Sequence, residues 1–99
     1  MIEYGQGSTI GFYIEGDANV DFDANDFAIL FYKKRYSEEF KLLKSEMTPI
    51  STNKYYGEIP YAITENMAAG IYTQDIRLGS DYRSVKKFEA FTIIETEIR

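Results

Sequence analysis

Apolar residues in this chain fall more often on every second position than at helical spacing. In Ser8–Ile14, the side chains of Ile10, Phe12 and Ile14 alternate and so share one face of a strand. Gly16-Asp17-Ala18-Asn19 supplies turn chemistry after it. Phe27–Tyr32 is apolar on both faces and is bounded by Asn25-Asp26 and by Lys33-Lys34-Arg35, which fits a central strand with Phe27, Ile29 and Phe31 facing one way. Ile71–Leu78 places Tyr72, Gln74, Ile76 and Leu78 on one face and Thr73, Asp75 and Arg77 on the other. Phe88–Ile94 alternates with Phe91 and Ile93 inward.

The segments between these runs carry turn signals. Ser51-Thr52-Asn53-Lys54 reads as a turn into a strand at Tyr55–Ile59, which Pro60 marks as an edge or a break. Gly79-Ser80-Asp81 reads as a hairpin turn. Thr64–Gly70 is the one clear helical turn, with Thr64 as its cap, Met67 pointing inward and Gly70 in the left-handed conformation that ends it. Tyr36–Lys44 has two readings. A turn at Ser37-Glu38-Glu39 with a strand from Phe40 is preferred; a short helix capped by Ser37 is the other, because Leu, Lys and Glu are good helix formers. Short strands at turn-to-turn spacings near ten residues predict a single all-β domain over residues 1–99. Its expected form is an immunoglobulin-like, two-sheet antiparallel β-sandwich of about seven strands with one helical turn near residues 64–69.

Composition narrows the chemistry. The 99 residues include no cysteine, which rules out disulfides, thiolate zinc sites and a cysteine nucleophile. They include no histidine, so the commonest general base and the histidine-containing catalytic triads cannot be built. Lack of disulfides favours folding in a reducing compartment, and the expected location is the cytoplasm where the chain is made. Met1-Ile2-Glu3-Tyr4-Gly5 has neither the basic start nor the apolar stretch of a signal peptide. No segment approaches the roughly 20 apolar residues of a membrane-spanning helix. The net charge of −5 repels phosphate backbones, and Lys33-Lys34-Arg35 and Lys86-Lys87 read as solvated strand ends; nucleic acid is not an expected partner.

Three features invite sharper readings. Asp17–Asp26 has oxygen ligands at alternating positions, like the start of a calcium loop. Counted from Asp17, however, the positions that require glycine and glutamate hold Phe22 and Ala28, so the helix-loop-helix calcium motif fails; a solvated acidic turn is the plainer reading, with a looser interstrand calcium site as the alternative. Glu38-Glu39 does not make a glycosidase pair, because adjacent residues on a turn point apart. Nine tyrosines are many for this length. Tyrosine suits strands, but it is also enriched where proteins meet partners. Tyr32, Tyr36, Tyr55, Tyr56 and Tyr61 are therefore the candidate interaction face. Apolar residues near the ends, Ile2, Tyr4 and Ile98, suggest that a terminus adds a strand to a neighbour. No catalytic, cofactor-binding or metal-binding set is assigned, and the chain is not expected to be an enzyme.

The stretch Ile63-Thr64-x-x-Met67-x-x-Gly70-x-Tyr72-x-x-Asp75-Ile76-x-Leu78 resembles the corner that enters the penultimate strand of immunoglobulin-like domains, with Met67, Gly70 and Tyr72 as its defining residues. More narrowly, residues 8–94 resemble the small immunoglobulin-like domains of tailed-phage and prophage structural proteins, of the type at the N-terminus of baseplate upper proteins. The matching segments are Ile14-Glu15-Gly16-Asp17, Phe27–Arg35, Glu65–Leu78 and Phe91-Thr92-Ile93. Met67 stands where leucine is usual in that pattern, and Tyr36–Asn53 is richer in charge. The resemblance implies a non-enzymatic structural or assembly protein of a tail or baseplate, carried into the virion and acting through contacts with other protein subunits, homo-oligomers among them. The alternative is a recognition module that binds a glycan or a surface protein through its tyrosines.

Overall fold

The structure, a computed structural model, describes residues 1–33, 39–79 and 83–95. The described residues form eight strands: β1 (Ile2–Gly5), β2 (Ile10–Glu15), β3 (Phe27–Lys33), β4 (Glu39–Leu43), β5 (Thr48–Ser51), β6 (Lys54–Ile59), β7 (Gly70–Leu78) and β8 (Arg83–Ile94). A 3₁₀ turn, Lys44–Glu46, follows β4, and a one-turn helix, α1 (Tyr61–Thr64), follows β6. The strands make two sheets, one in the order β1-β8-β7-β3-β4 and the other β2-β6-β5. This is an all-β two-sheet sandwich.

The alternating faces set the layers. Phe27, Ile29 and Phe31 on β3, Tyr72 and Ile76 on β7, and Phe91 and Ile93 on β8 turn inward, and each is nearly or fully buried. They meet Ile10, Ile14, Tyr55 and Ile59 from the facing sheet. Phe31 sits at the centre, with the rings of Phe12, Phe91 and Phe40 at 5.3, 5.9 and 6.3 Å. Such offset and edge contacts add roughly 0.5–1.5 kcal/mol per pair to the burial itself.

Three differences from the sequence reading have physical causes. The sandwich has eight strands, not about seven, and is not wholly antiparallel: β1 runs parallel to β8, with Ile2 beside Phe91 and Gly5 beside Ile94. The N-terminal segment thus finds its partner strand within its own chain. The helical turn comes earlier than residues 64–69. Pro60, with φ of −71°, stands at its N-terminal boundary, and Thr64 ends α1 instead of capping its start. Freed from a capping role, the buried Thr64 hydroxyl donates to the carbonyl of Ser8 at 2.5 Å and ties α1 to the approach to β2. In the ambiguous middle segment, residues 39–43 are strand β4, with Phe40 opposite Phe31 on β3. Tyr36, Ser37 and Glu38 lie outside the described residues, as do Ser80 and Asp81 of the expected hairpin turn.

Candidate functional site

The tyrosines expected to form one face are divided among three environments. Successive side chains on a strand point to opposite faces. Tyr55 is therefore buried in the core, while its neighbour Tyr56 lies on the outer face of the three-stranded sheet. Tyr32 lies on the outer face of the five-stranded sheet, where its hydroxyl meets Asp75. Tyr61 is exposed on α1, and Tyr36 lies outside the described residues. Tyr55 cannot contact a partner: its hydroxyl donates to Asp23 Oδ1 at 2.8 Å, and burial together with that carboxylate raises its pKa above the usual tyrosine value.

The structure instead pairs Tyr56 with Tyr13, which sequence reasoning did not single out. They are register partners on β6 and β2, with ring centroids 5.2 Å apart and planes tilted by 57°. Tyr13 is 63% exposed, and Lys54 Nζ sits 5.3 Å from its ring centroid. Gly11 makes room for this arrangement, because a Cβ there would run into the Tyr56 phenol. Desolvation, with Glu58 beside the phenol, raises the Tyr56 pKa. The alternation of β2 and β6 signals the pair: Tyr13 and Tyr56 occupy facing outward positions.

On the opposite sheet, Asp75 organises a polar cluster. The carboxylate is 1% exposed although it lies on the outward face of β7. Ser84 Oγ donates to its Oδ1 at 2.6 Å, while Arg77 Nε and Tyr32 Oη donate to its Oδ2 at 3.0 and 3.2 Å. Lys87 covers the Tyr32 ring at 5.7 Å. Desolvation alone would raise the Asp75 pKa. The donors from Ser84, Arg77 and Tyr32 outweigh it and lower the value, holding the group ionised. These contacts already occupy the carboxylate.

The acidic segment Asp17–Asp26 is used in the same internal way. Asp17 Oδ1 accepts the amides of Asn19 and Val20, and Asp21 Oδ1 accepts those of Asp23 and Ala24. Asp23 accepts the Asn53 amide and the Tyr55 hydroxyl. A cation does sit against this loop, but it belongs to the chain. Lys44 Nζ donates to the carbonyls of Phe22, Asp23 and Asn25 at 2.8, 3.1 and 2.8 Å. Among the described residues, no three carboxylates converge as ligands for a metal ion.

The corner residues lie together before and within β7. Met67 is buried, Gly70 has φ of +146°, and the buried Tyr72 donates its hydroxyl to the carbonyl of Ala68 at 2.8 Å. This contact fixes the turn from α1 into β7, with the Tyr72 ring stacked on Phe91 at 5.6 Å.

No helix among the described residues is long and apolar enough to cross a membrane. Comparison with known families finds no family that matches the chain, and comparison with curated proteins finds no match. Among solved structures the chain is similar to part of a putative glycoside hydrolase from Bacteroides vulgatus, with a TM-score of 0.59 and 10% sequence identity. The likeness covers 98% of this chain and 17% of the solved one, so this chain spans about a sixth of that protein's length, and at such identity the likeness is one of fold.

Proposed function

We propose that the domain is a non-catalytic module that works through protein–protein contacts. The observation that carries this reading is the Tyr13–Tyr56 pair beside Lys54 on the outer face of the three-stranded sheet, with Tyr13 exposed and Tyr56 half-buried. Tyrosines, with their large and rigid amphipathic rings, are enriched at contact surfaces. The buried ionisable groups support the same reading, because Asp75 and Tyr55 are held by internal partners and are not presented to a substrate. In its narrower form the proposal places the module in a tailed-phage or prophage particle as a tail or baseplate component. That form rests on the resemblance carried by Ile14–Asp17, Phe27–Arg35, Glu65–Leu78 and Phe91–Ile93.

The test is affinity capture from the native cells with prophage induced, followed by mass spectrometry, using the wild type and a Tyr13→Ser/Tyr56→Ser variant. Tail, baseplate or other partner proteins recovered in fixed ratio with the wild type, and lost with the variant, support the proposal. Recovery of the protein alone overturns it.

A glycan-binding module is the second reading, favoured by the exposure of the Tyr13 ring. Sugars stack on flat, open aromatic faces. Here the rings are tilted and Lys54 sits over Tyr13, which weighs toward a protein partner. A rise in melting temperature with one member of a sugar panel would reverse that preference.

A further inference from the structure

The two sheets are unequal, and among the described residues the excess has no cover. The five-stranded sheet extends through β8 to β1, whereas the facing sheet stops at β2. Phe88 is the register partner of Gln74, and Ile2 is the partner of the buried Phe91, so both point toward the sandwich interior. They are nevertheless 49% and 61% exposed. Beneath them an apolar trough of about 280 Å³ runs along β2, lined by Ile2, Tyr4, Phe12, Phe88 and Ala90 among others. It continues into a cavity of about 120 Å³ through the shared residues Tyr13, Gln74 and Phe88.

Two sets of polar groups line this trough. Gln74 is 4% exposed, lines both cavities, and its carboxamide forms no hydrogen bond among the described residues. No fully buried side-chain polar atom of the described residues lacks a partner, so solvent reaches the Gln74 amide through the trough. The second set is the edge of β2. Gly16 N donates to Asn53 O at 2.8 Å, which fixes the hydrogen-bonded pairs of the β2–β6 ladder. By alternation, Ile14, Phe12 and Ile10 turn their backbone groups to β6, and Gly11, Tyr13 and Glu15 turn theirs to the trough. Lys86 Nζ, on β8, reaches the Glu15 carbonyl at 3.1 Å from the far side of the gap, as that alternation requires.

We propose that this trough is a vacant strand position, filled by an extended segment of a partner protein that pairs with β2. Apart from the Glu15 carbonyl, which accepts from Lys86, the edge offers alternating backbone donors and acceptors at strand spacing, which an extended polypeptide matches. Its inward side chains must be apolar to cover Phe12 and Phe88, with one hydrogen-bonding side chain over Gln74. Among the described residues, Lys86 is the only cation lining either cavity, so an acidic residue suits the Glu15 end of the segment. A second copy of this chain fits poorly, because the inward residues of its own β2, Ile10 and Ile14, are already buried in its core and cannot enter the trough. The inference rests on the reading as a protein-contact module and extends it to a second surface, which meets the Tyr56 face at Tyr13.

The experiment is a display selection on the full chain. The library holds ten-residue segments with Val, Ile, Leu or Phe at alternate positions and all residues elsewhere. Enriched segments are then synthesised and titrated by NMR. Binding should shift the Gln74 side-chain amide and slow backbone exchange at Gly11, Tyr13 and Glu15. N-methylation of the probe at its β2-facing amides should weaken binding at least tenfold. Gln74→Leu should weaken segments that carry Ser, Thr or Asn over position 74, while leaving all-apolar segments within about twofold. Failure to enrich any segment, binding indifferent to N-methylation, or self-association that buries the β2 edge would each overturn the proposal. The Tyr56→Ser variant leaves the trough intact and should bind the same segments, so a failed outer-face reading stays distinguishable from a failed trough.

Discussion

Asn53 Oδ1 accepts the backbone amide of Phe22 at 2.6 Å, joining the β5–β6 hairpin to the long loop before β3. The same residue donates Nδ2 to the Val20 carbonyl, accepts the Gly16 amide on its own carbonyl, and donates its amide to Asp23. It does this at a φ of 58°, a conformation that asparagine tolerates better than most residues. Asn53→Gly keeps the backbone conformation and removes only the two side-chain bonds. It should cost about 1–3 kcal/mol in urea unfolding, and Asn53→Ala should cost more because it adds backbone strain.

Lys44 should be a local stabiliser. Lys44→Met keeps much of the stem that packs near Phe27 and Tyr55 but strips the ammonium from three carbonyls. The expected loss is about 1–3 kcal/mol. Hydrogen exchange should separate local from global effects, with amides near residues 20–26 exchanging faster relative to those of β3 and β7.

Asp75 gives the domain a defined acid sensitivity. Its folded pKa is lowered, so the unfolded chain binds a proton first as pH falls. Its contribution is fully present above the unfolded value of about 3.9 and is lost as pH falls through the depressed folded value. A plot of stability against pH should therefore flatten below pH 4 in Asp75→Asn relative to the wild type. At pH 7 the variant should be less stable, by about 2 kcal/mol, because Arg77, Tyr32 and Ser84 lose a charged acceptor. Equal slopes in the two proteins would contradict this account.

At the corner, Tyr72→Phe removes one buried hydrogen bond and leaves the ring stacked on Phe91. The expected cost is about 1–2 kcal/mol by chemical denaturation. Gly70→Ala acts through the backbone: its φ of +146° disfavours any side chain, at a cost of about 1–3 kcal/mol. The nearest obstacle to a new Cβ is the flexible end of Lys33, which can move aside. An unchanged melting temperature for Gly70→Ala would contradict the backbone account.

The core was legible in the sequence because its signal is local. Period-two apolar spacing alone places Phe27, Ile29 and Phe31 on one face and Tyr72, Gln74 and Ile76 on another. What was not legible depends on distant partners. Nothing near Ile2–Gly5 announces a parallel pairing with β8, whose partner residues lie far along the chain. Asn53 reads as an ordinary turn residue and Lys44 as the end of the ambiguous Tyr36–Lys44 segment, because their partners lie some 20 to 30 residues upstream. Gln74 was placed inward by its spacing, but an inward amide gains its meaning only from the absent cover beside β2. Grouping Tyr55 with Tyr56 failed for a reason the sequence did contain, since neighbours on a strand face opposite ways.

The parallel alignment of β1 with β8 has a mechanical consequence. Four register pairs, from Ile2–Phe91 to Gly5–Ile94, join the first strand to the last. Tension that pulls the start of β1 and the end of β8 apart slides these strands along each other, loading all of their hydrogen bonds together. Antiparallel strands pulled from adjacent ends would instead open one bond at a time. A domain drawn out from its two ends therefore resists as a clamp in shear, and its weakest direction under load lies across the sheet, not along it.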